Sequence, residues 1–261
     1  MKLHLLSDLH HEFFQDRWKP SITKWHMNIP ETDCDVIALV GDIDVGKRGI
    51  EWAKYESERL SKPIVYIPGN HEYYSRDFHQ VNQRLAESAR NTNVHLLNKD
   101  EWVFEGVRFL GATFWTDFLA DPRVTQSKAM DIVGQGLNDY HRISYKDGKL
   151  TPELTLAWHI EQKDWLEEQL DKNGDFDKTV VLTHTGPSGA CQHGRFKLSA
   201  ISAGFHSRLN YLVEKADLWC FGHTHFNVDT MIGDTRLVSN QFGYLHREEC
   251  VGFDPKKMII I

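Results

Sequence analysis

Short apolar runs alternate along the chain with stretches whose apolar positions recur every three or four residues. Leu3–Leu6, Val36–Val40 and Ile64–Ile67 are rich in leucine or β-branched residues, and each ends in a polar or glycine-containing loop. Gly49–Leu60 and Arg76–Ala89 carry the helical period. Strand, helix, strand in this order predicts buried, largely parallel strands. Short strands are predicted at Val94–Leu97, Trp102–Phe104 and Val107–Ala112, with Glu105-Gly106 as a tight turn between the last two. Thr151-Pro152-Glu153 is a cap followed by a first-turn proline, so a long helix is expected to run from there to about Leu170. Strands follow at Thr179–Thr183 and Leu218–Phe221, with a helix expected near His206–Ala216. Val228–Ile232 and Arg236–Val238 flank Gly233-Asp234 and predict a hairpin. Residues 117–150 resist this reading. They are polar, weakly periodic and broken by Pro122, Gly134, Gly136 and Gly148. A stretch of that length is usually functional or disordered. We read it as a cap inserted over one end of the sheet of a single 1–261 domain.

Composition narrows the class without deciding it. Hydrophobic residues at 41% and charged residues at 26% describe a folded globular α/β chain. Cys34, Cys191, Cys220 and Cys250 are scattered and form no CxxC pair, which argues against a disulfide framework or a sulfur-ligated zinc site. That pattern suggests a reducing compartment. No apolar run approaches the roughly 18 residues of a membrane span, and Met1–Asp8 turns acidic too soon for a signal peptide, so a cytoplasmic protein is expected. The formal net charge of −7 argues against broad, charge-driven nucleic-acid binding and leaves only a local basic groove open. The 15 histidines are the compositional excess to be explained.

Five of those histidines stand at strand ends, in company that binds metals. The first strand is followed by Asp8-Leu9-His10, the second by Gly41-Asp42 and the third by Gly69-Asn70-His71-Glu72. Thr179–Thr183 is followed by His184, and Leu218–Phe221 by Gly222-His223-Thr224-His225. Strand residues two apart point the same way, so each i, i+2 pair can share one metal. Sites in open α/β sheets form beyond the carboxyl ends of the strands, which brings these distant residues together. Carboxylate, imidazole and amide donors without thiolate suit Mn, Fe, Zn or a mixed pair.

This ordered set, DxH, GD, GNHE, a lone His and GHTH, resembles the calcineurin-like metallophosphoesterase superfamily. The resemblance covers residues 3 to about 245. It implies a two-sheet β-sandwich core flanked by helices and a site for two divalent metal ions. By position, it implies that Asp8, His10 and His225 hold the first metal, that Asn70, His184 and His223 hold the second, and that Asp42 bridges them. His71 becomes the catalytic histidine at the scissile phosphate. The implied reaction is hydrolysis of a phosphomonoester or phosphodiester by direct attack of a metal-bridging hydroxide. A histidine acid wants an orienting carboxylate, and Asp44 and Glu72 are the two near in sequence. The tyrosine ligand of purple acid phosphatases is replaced by Val45, and the Arg that follows GD in Ser/Thr protein phosphatases is absent. A small-molecule or nucleotide phosphoester is therefore the expected substrate class.

Several further features carry weaker signals. Asn138–Arg142 reads either as a solvated loop or as a cap that supplies His141 or Arg142 to a phosphate. His193, Arg195 and Lys197 form a small basic cluster, open to the same two readings. Gly41–Lys47 matches GxxxxGK, but Arg48 stands where a P-loop needs Ser or Thr, and two aspartates in the loop would repel a nucleotide's phosphates. A P-loop NTPase and a non-catalytic metal-binding relative are the two rival readings.

Overall fold

The computed structural model describes residues 1–14 and 28–261. Its strands are β1 (Lys2–Leu6), β2 (Val36–Val40), β3 (Ile64–Ile67), β4 (Val94–Leu96), β5 (Asp100–Phe104), β6 (Val107–Ala112), β7 (Ser144–Tyr145), β8 (Gly148–Lys149), β9 (Lys178–Thr183), β10 (Leu218–Phe221), β11 (Asp229–Ile232), β12 (Thr235–Ser239), β13 (Gly243–Tyr244), β14 (Glu248–Glu249) and β15 (Met258–Ile260). The α-helices are α1 (Arg48–Leu60), α2 (Phe78–Ala89), α3 (Gln126–Gly136), α4 (Asp139–Arg142), α5 (Pro152–Leu170) and α6 (Asn210–Val213).

Alternation along the strands builds the layers. In β2, Val36, Ala38 and Val40 face one side, and Ile37 and Leu39 face the other. The first set meets Val65 and Ile67 of β3, and Phe109, Val180, Leu182 and Cys220 from a second sheet, in one core between the sheets. The second set packs under Trp52 and Ala53 of α1 and Leu85 of α2. In the second sheet, Leu110, Val181, Trp219 and Phe221 point outward against Leu166 of α5 and Leu212 of α6. The result is helices, sheet, sheet, helices. One sheet has the order β15-β1-β2-β3-β4, and the other β11-β12-β10-β9-β6-β5. Pairs β1–β2, β2–β3, β3–β4, β6–β9, β9–β10 and β10–β12 are parallel, as the strand–helix alternation predicts. The α/β two-sheet core is the expected one.

Helix ends follow local chemistry. Helix α2 starts at Phe78 rather than Arg76 because Asp77 caps it, accepting the Gln80 N–H at 3.0 Å. Helix α5 begins at Pro152, where Thr151 accepts from the Leu154 N–H. The helix expected near His206–Ala216 shrinks to Asn210–Val213. The amides of Ser207 and Leu209 bond instead to the carbonyls of Gly186 and Pro187, so the chain there is held extended. Residues 117–150 are more regular than their sequence suggests, since they contain α3, α4 and the β7–β8 hairpin. Only Ala129 and Val133 of α3 are buried, a stripe too narrow to give a strong helical period. Among the described residues no helix is long and apolar enough to cross a membrane.

Phe109 is fully buried between the sheets. Phe109→Ala is expected to cost about 3–5 kcal/mol. Urea denaturation would register this as a lower midpoint at unchanged slope.

Candidate metal centre

The carboxyl ends of β1, β2, β3, β9 and β10 meet at one edge of the sandwich, and the motif residues lie in the first turns beyond them. The pleat does not aim these side chains, contrary to the expectation from strand alternation. β1 stops at Leu6 and β10 at Phe221, before the ligand pairs begin. Asp8, His10, Asp42, His223 and His225 instead have left-handed backbones, with φ of 53°, 47°, 54°, 68° and 49°. Such conformations cost energy in non-glycine residues and cluster at functional sites. Backbone hydrogen bonds hold them here. Asp8 N–H donates to Gly41, and His10 N–H to Asp42. The His225 N–H donates to the Gln241 side chain at 2.6 Å.

Two glycines let the ligands approach. Gly41 has φ of 84°, and a Cβ there would lie 2.2 Å from His184 Nδ1. A Cβ on Gly69 would lie 2.2 Å from an Asp42 carboxylate oxygen. The glycine before each metal-type residue is thus a space requirement.

The structure brings Asp8, His10, Asp42, Asn70, His71, His184, His223 and His225 into one cluster. Among the described residues, three overlapping sets have their ligand atoms within 4.8 Å of one another: Asp8, His10 and His225; His10, Asp42 and His71; Asp42, His184 and His223. Asp42 sits centrally. One oxygen lies 3.8 Å from His10 Nε2, and the other 3.3 Å from His184 Nε2. Asn70 presents its side-chain oxygen 3.0 Å from the same His184 nitrogen.

Tautomers and charge fit the cluster to divalent cations. His184 Nδ1 donates to the Val40 carbonyl at 3.0 Å, which turns Nε2 inward, where a proton or a cation joins it to the Asp42 and Asn70 oxygens. His223 Nε2 donates to the Gly204 carbonyl, leaving Nδ1 as the donor atom. His10 Nδ1 faces Glu12, so Nε2 carries a lone pair 3.1 Å from His225 Nε2. Facing ring nitrogens this close need a proton or a cation to share. Burial works against ionised Asp8, yet His225 and His184 hold its pKa below the ordinary value. Asp42 is likewise buried, and His184 and His71 hold its carboxyl well below the usual range. Two buried carboxylates among imidazole and amide donors, with protons that a metal would replace, fit hard or borderline divalent ions.

The partner of His71 is neither Asp44 nor Glu72. It is Glu12, which follows His10 in a 3-10 turn (His11–Phe13) and lies 2.8 Å from His71 Nδ1. Burial would lower the His71 pKa, but Asp42 and Glu12 overcome it and push it up to about 9. Asp44 is taken by Arg48, whose Nε donates to it at 3.0 Å. Glu72 is fully buried and accepts from the amides of Asp42, Ile43 and Gly69 and from the Tyr66 hydroxyl. It braces two motif loops rather than orienting a histidine. Lys47 pairs with Glu51 at 2.8 Å, and Asp42 turns into the cluster, so GxxxxGK forms no phosphate cradle.

Three residues had no distinguishing signal in the sequence. Asp139 accepts from Asn70 Nδ2 at 2.8 Å and from the Tyr74 hydroxyl at 2.7 Å, which fixes the direction of the Asn70 amide. The Tyr74 ring stacks on His71 at 4.1 Å. The Tyr244 hydroxyl lies 3.2 Å from His71 Nε2. The residues singled out beside Asp139 fall elsewhere. His141 is exposed and bonds to the Gln135 carbonyl through Nε2. Arg142 is exposed over the outer side of Tyr74, 4.9 Å from its ring. Neither lines the cavity above the cluster, because the turn of α4 directs Asp139 inward and its basic end away. That cavity measures about 560 Å³, and His193 and Lys197 line it while Arg195 does not.

The sequence profile of the calcineurin-like phosphoesterases matches residues 1–227. The chain belongs to the calcineurin-like phosphoesterase family. An uncharacterised protein of Acanthamoeba polyphaga mimivirus is 27% identical over 280 residues, spanning 99% of this chain and 96% of its own. The crystal structure of the phosphopantetheinyl hydrolase of Mycobacterium tuberculosis superposes with a TM-score of 0.70 at 15% identity. It covers 93% of this calcineurin-like chain and 89% of the other, a likeness of fold.

Gly41→Ala forces its new methyl group onto the His184 ring. The expected outcome is a loss of about 10–100-fold in Mn²⁺ affinity by calorimetry with an unchanged far-ultraviolet spectrum. Affinity equal to that of the parent protein would show that His184 is not placed by this contact.

Proposed function

We propose that the protein is a dinuclear metallophosphoesterase that hydrolyses a small-molecule or nucleotide phosphoester. The convergence of the buried Asp/His sets with His71, on the floor of one cavity in a calcineurin-like chain, supports this reading. In it, Asp8, His10 and His225 hold one divalent ion, Asn70, His184 and His223 hold another, and Asp42 lies between. Mn, Fe and Zn all suit these donors. Such ions supply charge neutralisation for the phosphoryl oxygens and activate water near neutral pH.

The chain's own residues supply the rest. Asp139 keeps the Asn70 oxygen turned toward His184, and the Val40 carbonyl keeps His184 Nε2 turned inward. Glu12 accepts from His71 Nδ1, so the second proton of the imidazolium sits on Nε2 and faces the cavity. As a water oxygen bonds to phosphorus and the ester P–O bond breaks, that Nε2 proton passes to the leaving oxygen. Tyr74 stacked on the ring limits its rotation. Residues 117–150 act in this reading as the cap, through Asn138 and Asp139 rather than His141 or Arg142. Cys34, Cys191 and Cys220 are buried free thiols, which supports a reducing compartment such as the cytoplasm.

Mn²⁺-loaded protein is expected to turn over p-nitrophenyl phosphate or bis-p-nitrophenyl phosphate, and the ratio of the two assigns monoester or diester preference. Asp42→Asn should abolish that turnover, and chelation should abolish it reversibly. Full metal content with no turnover of either ester would favour a non-catalytic metal-binding protein. His71→Asn is expected to lower kcat by about 10²–10⁴-fold while metal content is kept. Glu12→Gln should lower it less, by about 10–100-fold.

A further inference from the structure

The cavity above the cluster has two different ends. At its floor are Asp42, Asn70, His71, His223 and His225. Away from the cluster motifs, its walls come from Tyr74 and Tyr244, from the end of α3 and the segment after it, and from residues 192–206. That second segment leaves the fold and returns at one place, where Gly186 pairs with His206, so it forms a loop closed at its base. It contributes Phe196, Lys197, Ile201 and Phe205 to the cavity, and Leu137 faces them from the α3 side.

Size, polarity and charge each point to a class of ligand. A volume of about 560 Å³ lies in the range that encloses a whole drug-sized molecule, well beyond a phosphoryl group. Leu137, Phe196, Ile201 and Phe205 give the walls an apolar face, and Phe196 leaves 53% of its surface uncovered. Among the described residues, Lys197 is the only lysine or arginine in the lining. It is exposed and makes no ion pair among the described residues. Among the described residues, the carboxylates in the lining are Asp42 and Asp139, and both belong to the floor, where the cluster and Asn70 engage them.

We propose that the substrate is an organic phosphoester with an apolar body and a second anionic group, and that Lys197 binds that second group. This rests on the phosphoesterase reading above. The esterified phosphate sits at the floor, the apolar body lies along Phe196, Ile201 and Leu137, and the distal anion reaches Lys197. A distal phosphate and a distal carboxylate share the required chemistry.

Four non-hydrolysable probes test this against Mn²⁺-loaded protein by titration calorimetry: methylphosphonate, hexylphosphonate, 6-carboxyhexylphosphonate and hexane-1,6-bisphosphonate. Hexylphosphonate is expected to bind at least about ten-fold tighter than methylphosphonate. A second anion should add about ten-fold more, as one charge-assisted hydrogen bond does. The tighter of the two dianionic probes identifies the distal group as carboxylate or phosphate. Lys197→Ala should remove that gain without weakening hexylphosphonate, and Lys197→Arg should restore it. Equal or absent binding across the series, or a gain that survives in Lys197→Ala, overturns the proposal. Turnover of p-nitrophenyl phosphate is read separately. Turnover without discrimination among the probes overturns the substrate class alone, whereas neither turnover nor metal uptake overturns the reading beneath it.

Discussion

Two carboxylates, Asp8 and Asp42, are almost wholly withdrawn from water at the edge where the two sheets meet. Isolated buried charges of this kind are costly, and the fold around them is arranged to meet that cost. Asp8 accepts from the His223 amide, and Asp42 from the His71 amide. Imidazoles from four different loops close around both. Glu72 stands one layer behind and takes up the amides that would otherwise be unpaired in the GD and GNHE loops. Burial and the charge of Asp42 push the Glu72 pKa up to about 7, which shows how crowded with negative charge this corner is. Positive charge, as protons on His71 and His184 or as divalent ions, is the counterpart the site requires.

The two sheets divide the work of placing these groups. β1, β2 and β3 deliver Asp8, His10, Asp42, Asn70 and His71, while β9 and β10 deliver His184, His223 and His225. The join between the sheets is therefore under tight control. Asn240, after β12, donates to the Leu5 carbonyl at 2.7 Å, and Ser7 forms a bridge with Gln241. Gln241 then holds the His225 amide. The same few residues lock one sheet against the other and set the ligand loops, so a shift between the sheets would disturb both halves of the cluster.

Much of this was legible in the sequence, and the limits follow from what a linear pattern can encode. Strands such as Val36–Val40 announce themselves because buried parallel strands are continuous apolar runs. The cluster residues were legible because each follows such a strand within one turn. Glu12 was within view, two residues past His10, but an acidic residue after a strand is usually solvated, and only the 3-10 turn folds it back onto His71. Asp139 and Tyr244 act across 69 and 173 residues of sequence, on Asn70 and His71, and nothing local marks them. Arg142 and His141 were prominent because their chemistry suits phosphate, yet the direction of a four-residue helix decides which side faces the cavity. The shortened α6 shows the same limit, since its missing turn is claimed by backbone pairing with Gly186 and Pro187.

The loop that runs from Gly186 to His206 has a consequence for how such a protein can diverge. Its two ends are pinned to each other, so the length and side chains of its exposed stretch can change at small entropic cost while the strands that carry His184 and His223 keep their register. The Phe205 ring, stacked on His223 at 5.1 Å, is the point where that freedom ends. Descendants of this chain could therefore exchange one substrate for another by rewriting the more exposed residues 193–199, while the buried Cys191 and Ala203 keep the loop seated and the cluster beneath stays as it is.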